Sequence, residues 1–214
     1  MSNTIRTVGF VISLMGSITI MMIITPFISD ATLISYGYFY FFLYLIFFVL
    51  IQSSFRLFTS RAMTKKEALF VCKPFLNILM NRLYYYSFLF LLFILPVIRG
   101  LSLSDISIEW MIQLLLGIII IEVFIHLTNK TLLVFILKEG ILVKGIDLRI
   151  DIPIGAPIQT HSGFYPYEYF SSFHFDGAKF NLTLYHQRGT LSFHTSTDLE
   201  KPLAGLLQSK GIAQ

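Results

Sequence analysis

The chain has 214 residues, 55% of them hydrophobic and only 13% charged, with a mean hydropathy of +0.73. Soluble globular domains carry roughly 25% charged residues, so the composition excludes an ordinary soluble enzyme and turns much of the surface toward lipid. The formal charge of +4 does not point to nucleic acid: from residue 131 onward seven Lys/Arg balance seven Asp/Glu, and the excess lies in the apolar half, where it reports topology.

Four apolar runs in the first 130 residues are read as membrane spans: 8–28, 33–51, 83–98 and 110–127. The first lacks the short apolar core and small-residue cleavage site of a removable signal, and is expected to be retained. Within it Gly9, Ser13 and Ser17 recur at four-residue spacing, the small-residue pattern that lets helices approach closely. The second run is rich in Tyr36, Tyr38, Tyr40, Tyr44 and phenylalanines, which suit bundle filling, an apolar guest or interface anchoring. The third is short, and begins earlier, near Phe75, if Arg82 reaches back to the headgroups.

The connection over 52–82 carries Arg56, Arg61, Lys65, Lys66, Lys73 and Arg82 against Glu67 alone. By the positive-inside rule it is cytoplasmic, and with four spans both termini are cytoplasmic too. Arg6, Lys130 and an outer-interface Trp110 agree with that orientation. Arg56, Arg61, Lys65, Lys66 and Lys73 are the candidate membrane-surface basic residues, for anionic lipid or a partner helix, against the simpler role of fixing topology. Thr64-Lys65-Lys66-Glu67 has capping-box spacing and predicts a short interfacial helix before Pro74. Cys72, the single cysteine, forms no internal disulfide and reads as a reduced thiol.

Glu122 stands in the fourth run, about 18 Å along a helix from Trp110. A carboxylate in hydrocarbon is costly enough to need a partner or a cavity. His126, one turn on, shares its face. Glu122 and His126 are therefore the candidate intramembrane functional pair, for proton relay or cation binding, against the plainer role of a helix clasp.

Beyond residue 130 the pattern changes to alternation. Thr131 to Leu137 and Ile141 to Val143, separated by Lys138-Glu139-Gly140, predict a hairpin leaving the last span directly. Phe173 and Phe175, then Phe180, Leu182 and Leu184, then Leu191 and Phe193 predict half-buried antiparallel strands turning at Asp176-Gly177 and Arg188-Gly189. Thr197-Asp198-Leu199-Glu200 predicts a helix start, with Leu203, Leu206 and Leu207 as its apolar stripe and Pro202 as an awkward residue near its beginning. The tail histidines, His161, His174, His186 and His194, show no ligand spacing and read as surface residues. No catalytic or metal motif is present, so no cofactor is expected.

The sequence thus predicts two domains: a four-helix transmembrane domain over 1–130, with the basic loop 52–82, and a small antiparallel β domain capped by one helix over 131–214. Glu139-Gly140-Ile141-Leu142-Val143, the strand around Tyr167 to Phe175, and Leu199-Glu200-Lys201-Pro202-Leu203 through Leu206-Leu207 resemble the bacterial pleckstrin-homology-like (PH-like) domain at the end of small polytopic membrane proteins. The resemblance covers residues 131–212 and implies a docking or regulatory module without enzymatic activity. The expected protein is a non-enzymatic, multi-pass component of a bacterial cytoplasmic membrane. Its partners would be the bilayer and a protein or a second copy bound through the tail, in membrane stress or peptide immunity. A small transporter using Glu122 and His126 is the alternative. Because its charges cancel, the tail alone is expected to bind anionic head groups weakly.

Overall fold

The computed structural model describes residues 3–28, 37–95, 98, 108–151, 153, 161–185 and 189–213. Helices α1 (Asn3–Ile28), α2 (Gly37–Ser60) and α4 (Ile108–Thr131) form from predominantly apolar sequence. Among the described residues these are the three helices long and apolar enough to cross a membrane. The third expected span forms α3 (Ile78–Leu89), which passes into a π-helical turn at Phe90–Ile94. It is not among those three, so three of the four expected spans are seen among the described residues and the fourth is not. The sequence places Pro96 just beyond, a residue with no amide to donate to a helical ladder.

The small-residue face of α1 packs on α2. Ser13 and Ser17 are fully buried and donate to the Gly9 and Ser13 carbonyls, both at 2.7 Å. A Cβ on Gly9 would lie 2.7 Å from the Phe55 ring, so only glycine allows the helices to come this close there.

The remaining elements are strands β1 (Phe70–Cys72), β2 (Leu133–Ile136), β3 (Gly140–Lys144), β4 (Gly163–Pro166), β5 (Phe170–Asp176), β6 (Lys179–Leu184) and β7 (Thr190–His194), followed by helix α5 (Thr197–Ser209). They build a four-stranded sheet in the order β1-β2-β3-β4 and a three-stranded sheet β5-β6-β7, with all strand pairs antiparallel. Phe173, Phe180, Leu182, Leu191 and Phe193 meet Val134, Ile136, Ile141, Val143 and Tyr165 in one core, and Leu203 and Leu207 of α5 join it. Few edges stay open. Phe75 donates to the Ser192 carbonyl and His194 to that of Lys73, both at 2.8 Å, while Phe173 donates to Ala213 at 2.8 Å.

Two local expectations change. The capping-box sequence at Thr64 makes only a 3-10 turn, Met63–Lys65. The residues beyond it become β1, with Phe70 opposite Ile136 and Cys72 opposite Val134. Pro74 blocks helix growth, and the free edge of β2 supplies the backbone partners a helix would otherwise have provided. At the C-terminal helix the N-cap is Ser196, one residue earlier than expected, without a side-chain cap bond, and Pro202 is accommodated inside the helix.

Candidate functional site

The connection from β3 toward β4 begins Gly145-Ile146-Asp147-Leu148-Arg149-Ile150-Asp151 and alternates apolar and charged residues. Leu148 packs with Phe48 and Val49 of α2, and Ile150 packs beside the helical clusters. Asp147, Arg149 and Asp151 are nevertheless buried as well. The end of α4 holds this segment in place: Leu148 N donates to Thr128 Oγ1 at 3.1 Å and Ile146 N to Thr131 Oγ1 at 3.0 Å. Gly145 adopts φ +139°, and a Cβ there would lie 2.3 Å from the Thr131 carbonyl oxygen, so the chain can turn this close to the helix only through glycine.

Around the segment, α1, α2, α3 and the start of β4 contribute to one buried polar node. Arg6 of α1 grips the Asp151 carboxylate, with Nε 3.1 and 3.2 Å from its two oxygens. Arg56 of α2 donates to Asp147 at 3.1 Å, to Gln52 Oε1 at 2.7 Å and to the Arg149 carbonyl at 3.1 Å. Gln52 in turn brackets the Asp151 backbone, donating to its carbonyl at 2.8 Å and accepting from its amide at 3.0 Å. Arg149 makes a two-pronged pair with Asp147, at 2.7 and 2.8 Å. The Ser162 amide donates to Asp147 at 2.8 Å, and Tyr85 of α3 donates to the Leu148 carbonyl. His161 Nδ1 lies 3.1 Å from Asp147 Oδ2 and 3.2 Å from Arg56 Nη1, with Nε2 4.0 Å from Asp151.

Three guanidinium groups thus face two carboxylates, leaving one excess positive charge when His161 is neutral. Burial by itself would raise the Asp147 carboxyl, but Arg149, His161 and Arg56 hold it well below the ordinary carboxylate range. Asp151 is held down against burial by His161, Arg6 and Arg56. Burial pushes His161 below its ordinary value, with Arg149 and Arg56 adding to the effect and Asp147 opposing it. Nδ1 can accept from Arg56 only when unprotonated, and can donate to Asp147 only when protonated, so the two contacts exclude one another. The carboxylate oxygens are occupied by guanidinium groups, and among the described residues no cluster of three His, Cys, Asp or Glu could hold a metal ion.

The residues singled out by sequence divide accordingly. Arg56 is 2% exposed at the centre of the node, where Asp147 and Gln52 take up its guanidinium. His161 is buried, not a surface histidine. Arg61, Lys65, Lys66 and Lys73 are exposed, and Lys66 pairs with Glu139 at 2.6 Å. Glu122 bonds Arg82 and Tyr86 of α3, each at 2.7 Å, in a half-exposed clasp. His126 is exposed one turn away and is not part of that clasp. His174 pairs with Asn181 at 3.1 Å, His194 lies against the Phe75 ring, and His186 lies outside the described residues. Tyr40 and Tyr44 line an open apolar groove of about 750 Å³ between α1 and α2. Arg6, Gln52, Asp147, Arg149 and Asp151 escaped sequence reasoning. The available signal was the acid-base-acid alternation at 147, 149 and 151, with two arginines near helix ends to answer it.

No family model matches the chain, and no curated protein matches it. Among solved structures it is similar to the complex of the FERM and C-terminal domains of Drosophila Merlin, at 14% identity. The match covers 80% of this chain and 62% of that one, with a TM-score of 0.27, a likeness too weak to bear on fold or function.

Proposed function

We propose that the protein is a non-enzymatic integral membrane protein that holds a PH-like docking module in a fixed position against its spans, on the cytoplasmic face of a bacterial inner membrane. The buried node is the observation that carries this: it joins α1 and α2 to the segment between β3 and β4 through Arg6, Arg56, Asp147 and Asp151, so the module is clamped rather than tethered. Sheets of four and three strands followed by a terminal helix support the PH-like assignment. The module binds a protein partner or a second copy, with membrane stress or peptide immunity as the setting. The transport alternative draws no support from Glu122, whose carboxylate is already engaged by Arg82 and Tyr86.

Two experiments in intact cells test this. A thiol introduced at Ser209 should resist an impermeant external label that reaches one introduced near Ser104; labelling at Ser209 would overturn the orientation. A photoreactive residue at exposed Tyr185 or Lys201 should give one discrete protein adduct, competed by co-expressed full-length protein that lacks the photoreactive residue. Adducts with lipid alone from every tail position would overturn the docking role.

A further inference from the structure

We propose that Lys73, Lys130 and Lys144 form a basic rim that binds the head groups of anionic phospholipids in the surrounding bilayer. The inference rests on the membrane-anchored arrangement proposed above. The three lysines are distant in sequence, and strand register brings them together. β2 begins two residues after α4 ends, and its first residue, Leu133, lies opposite Lys144. Cys72 lies opposite Val134, and Lys73 follows it. Lys130 occupies the last turn of α4. The bond from Ile146 N to Thr131 Oγ1 ties the end of β3 to the same helix end. All three lysines are exposed, and Val71 and Ile146 beside them are exposed apolar residues.

The acids of the β2–β3 hairpin and of the segment that follows it are committed elsewhere. Asp147 and Asp151 are inside the node, and Glu139 is at the opposite end of the β2–β3 hairpin, paired with Lys66. The cancelling charges of residues 131–214 included neither Lys73 nor Lys130, so the rim is invisible to a count taken over the tail. The rim borders the end of a helix apolar enough to cross a membrane, so the phosphate within its reach is that of a lipid. Juxtamembrane lysines beside exposed apolar side chains are the general composition of such contacts.

The test uses the full chain in phosphatidylcholine bilayers containing spin-labelled phosphatidylglycerol or spin-labelled phosphatidylcholine, and measures the fraction of each lipid immobilised by the protein. The expected result is a preference for phosphatidylglycerol that falls with added salt. It should weaken by up to about fivefold per lysine removed at low ionic strength and vanish in a combined K73Q, K130Q and K144Q variant. K138Q with K201Q should keep it. If the triple glutamine variant unfolds at a lower temperature, the matching triple arginine variant must restore both folding and preference. Equal association of the two lipids, a preference that survives the triple variant, or its loss in the K138Q and K201Q control would overturn the proposal. Both leaflets contain the labelled lipid, so the outcome is independent of orientation, which the thiol labelling tests separately.

Discussion

Two sets of charges lie among the helices, and they are held in opposite ways. At the node, the Asp147 and Arg56 side chains are 0% and 2% exposed, and the Asp147 carboxylate is met by Arg56, Arg149 and the Ser162 amide together. At the α3–α4 clasp, Arg82 and Glu122 are 47% and 39% exposed and share one direct ion pair with Tyr86 alongside. The difference follows from what surrounds each. The node is sealed by a polypeptide segment whose apolar residues fill the helical core, whereas the clasp lies on the outer surface of two helices, where long side chains can reach toward the headgroups. Breaking a buried pair strands an unpaired charge, while breaking an exposed one leaves a side chain that can be solvated.

The sharpest way to break the contrast is at Asp147. Asp147→Asn removes the charge answering Arg56 and Arg149, and should cost about 3–5 kcal/mol in reversible unfolding of the purified protein. Adding Arg56→Met should recover part of that loss, and a double-mutant cycle should show coupling between the two positions. Strict additivity would mean that the node is not one unit.

A smaller effect is expected from acid. His161 is held below its ordinary value of 6.5, so the unfolded chain takes up this proton first. Its stabilising contribution is complete above about pH 6.5 and declines as the pH falls below that point. The depressed Asp147 and Asp151 keep their contribution until the pH drops below about 3.8, then lose it. Unfolding curves across pH 7.5 to 4.5 should therefore slope for the parent protein and flatten for His161→Gln. The same slope in both would remove His161 from the explanation.

The smallest change belongs to the clasp. Glu122→Gln keeps size and hydrogen-bonding capacity, and should shift stability by no more than about 1 kcal/mol while leaving cellular function nearly intact. A well-folded, normally abundant variant that fails to complement a deletion would revive the transport alternative.

What sequence reveals of this molecule depends on how local the cause is. The hairpin of β2 and β3 was legible because alternation and the Glu139-Gly140 turn lie within a dozen residues, and the same holds for β5, β6 and β7. Glu122 stood out because its neighbours are isoleucines. The node did not, because charges spaced by two resemble a solvated strand, and only distant partners make them buried: Arg6 and Asp151 are 145 residues apart, Arg56 and Asp147 91. Arg6 and Arg56 had a sufficient role as topology markers, which concealed their structural one. The three residues of β1 are too few for periodicity to register, and their partner strand follows two intervening helices.

That partner strand carries a consequence for how the chain assembles. The edge of the first sheet is made early in the chain and its neighbour late, with α3 and α4 between them. The ends of this inserted pair of helices are thereby bound into one sheet. Synthesis delivers β1 long before β2, so the sheet closes only after α4 is complete, and the loop closed by that pairing carries its entropic cost into the final step. A fragment beginning at residue 131 would lack β1 and leave the edge of β2 bare, a template for aggregation. Placement of α3 and α4 and completion of the sheet are thus one event, because a misplaced helix would hold β2 away from β1.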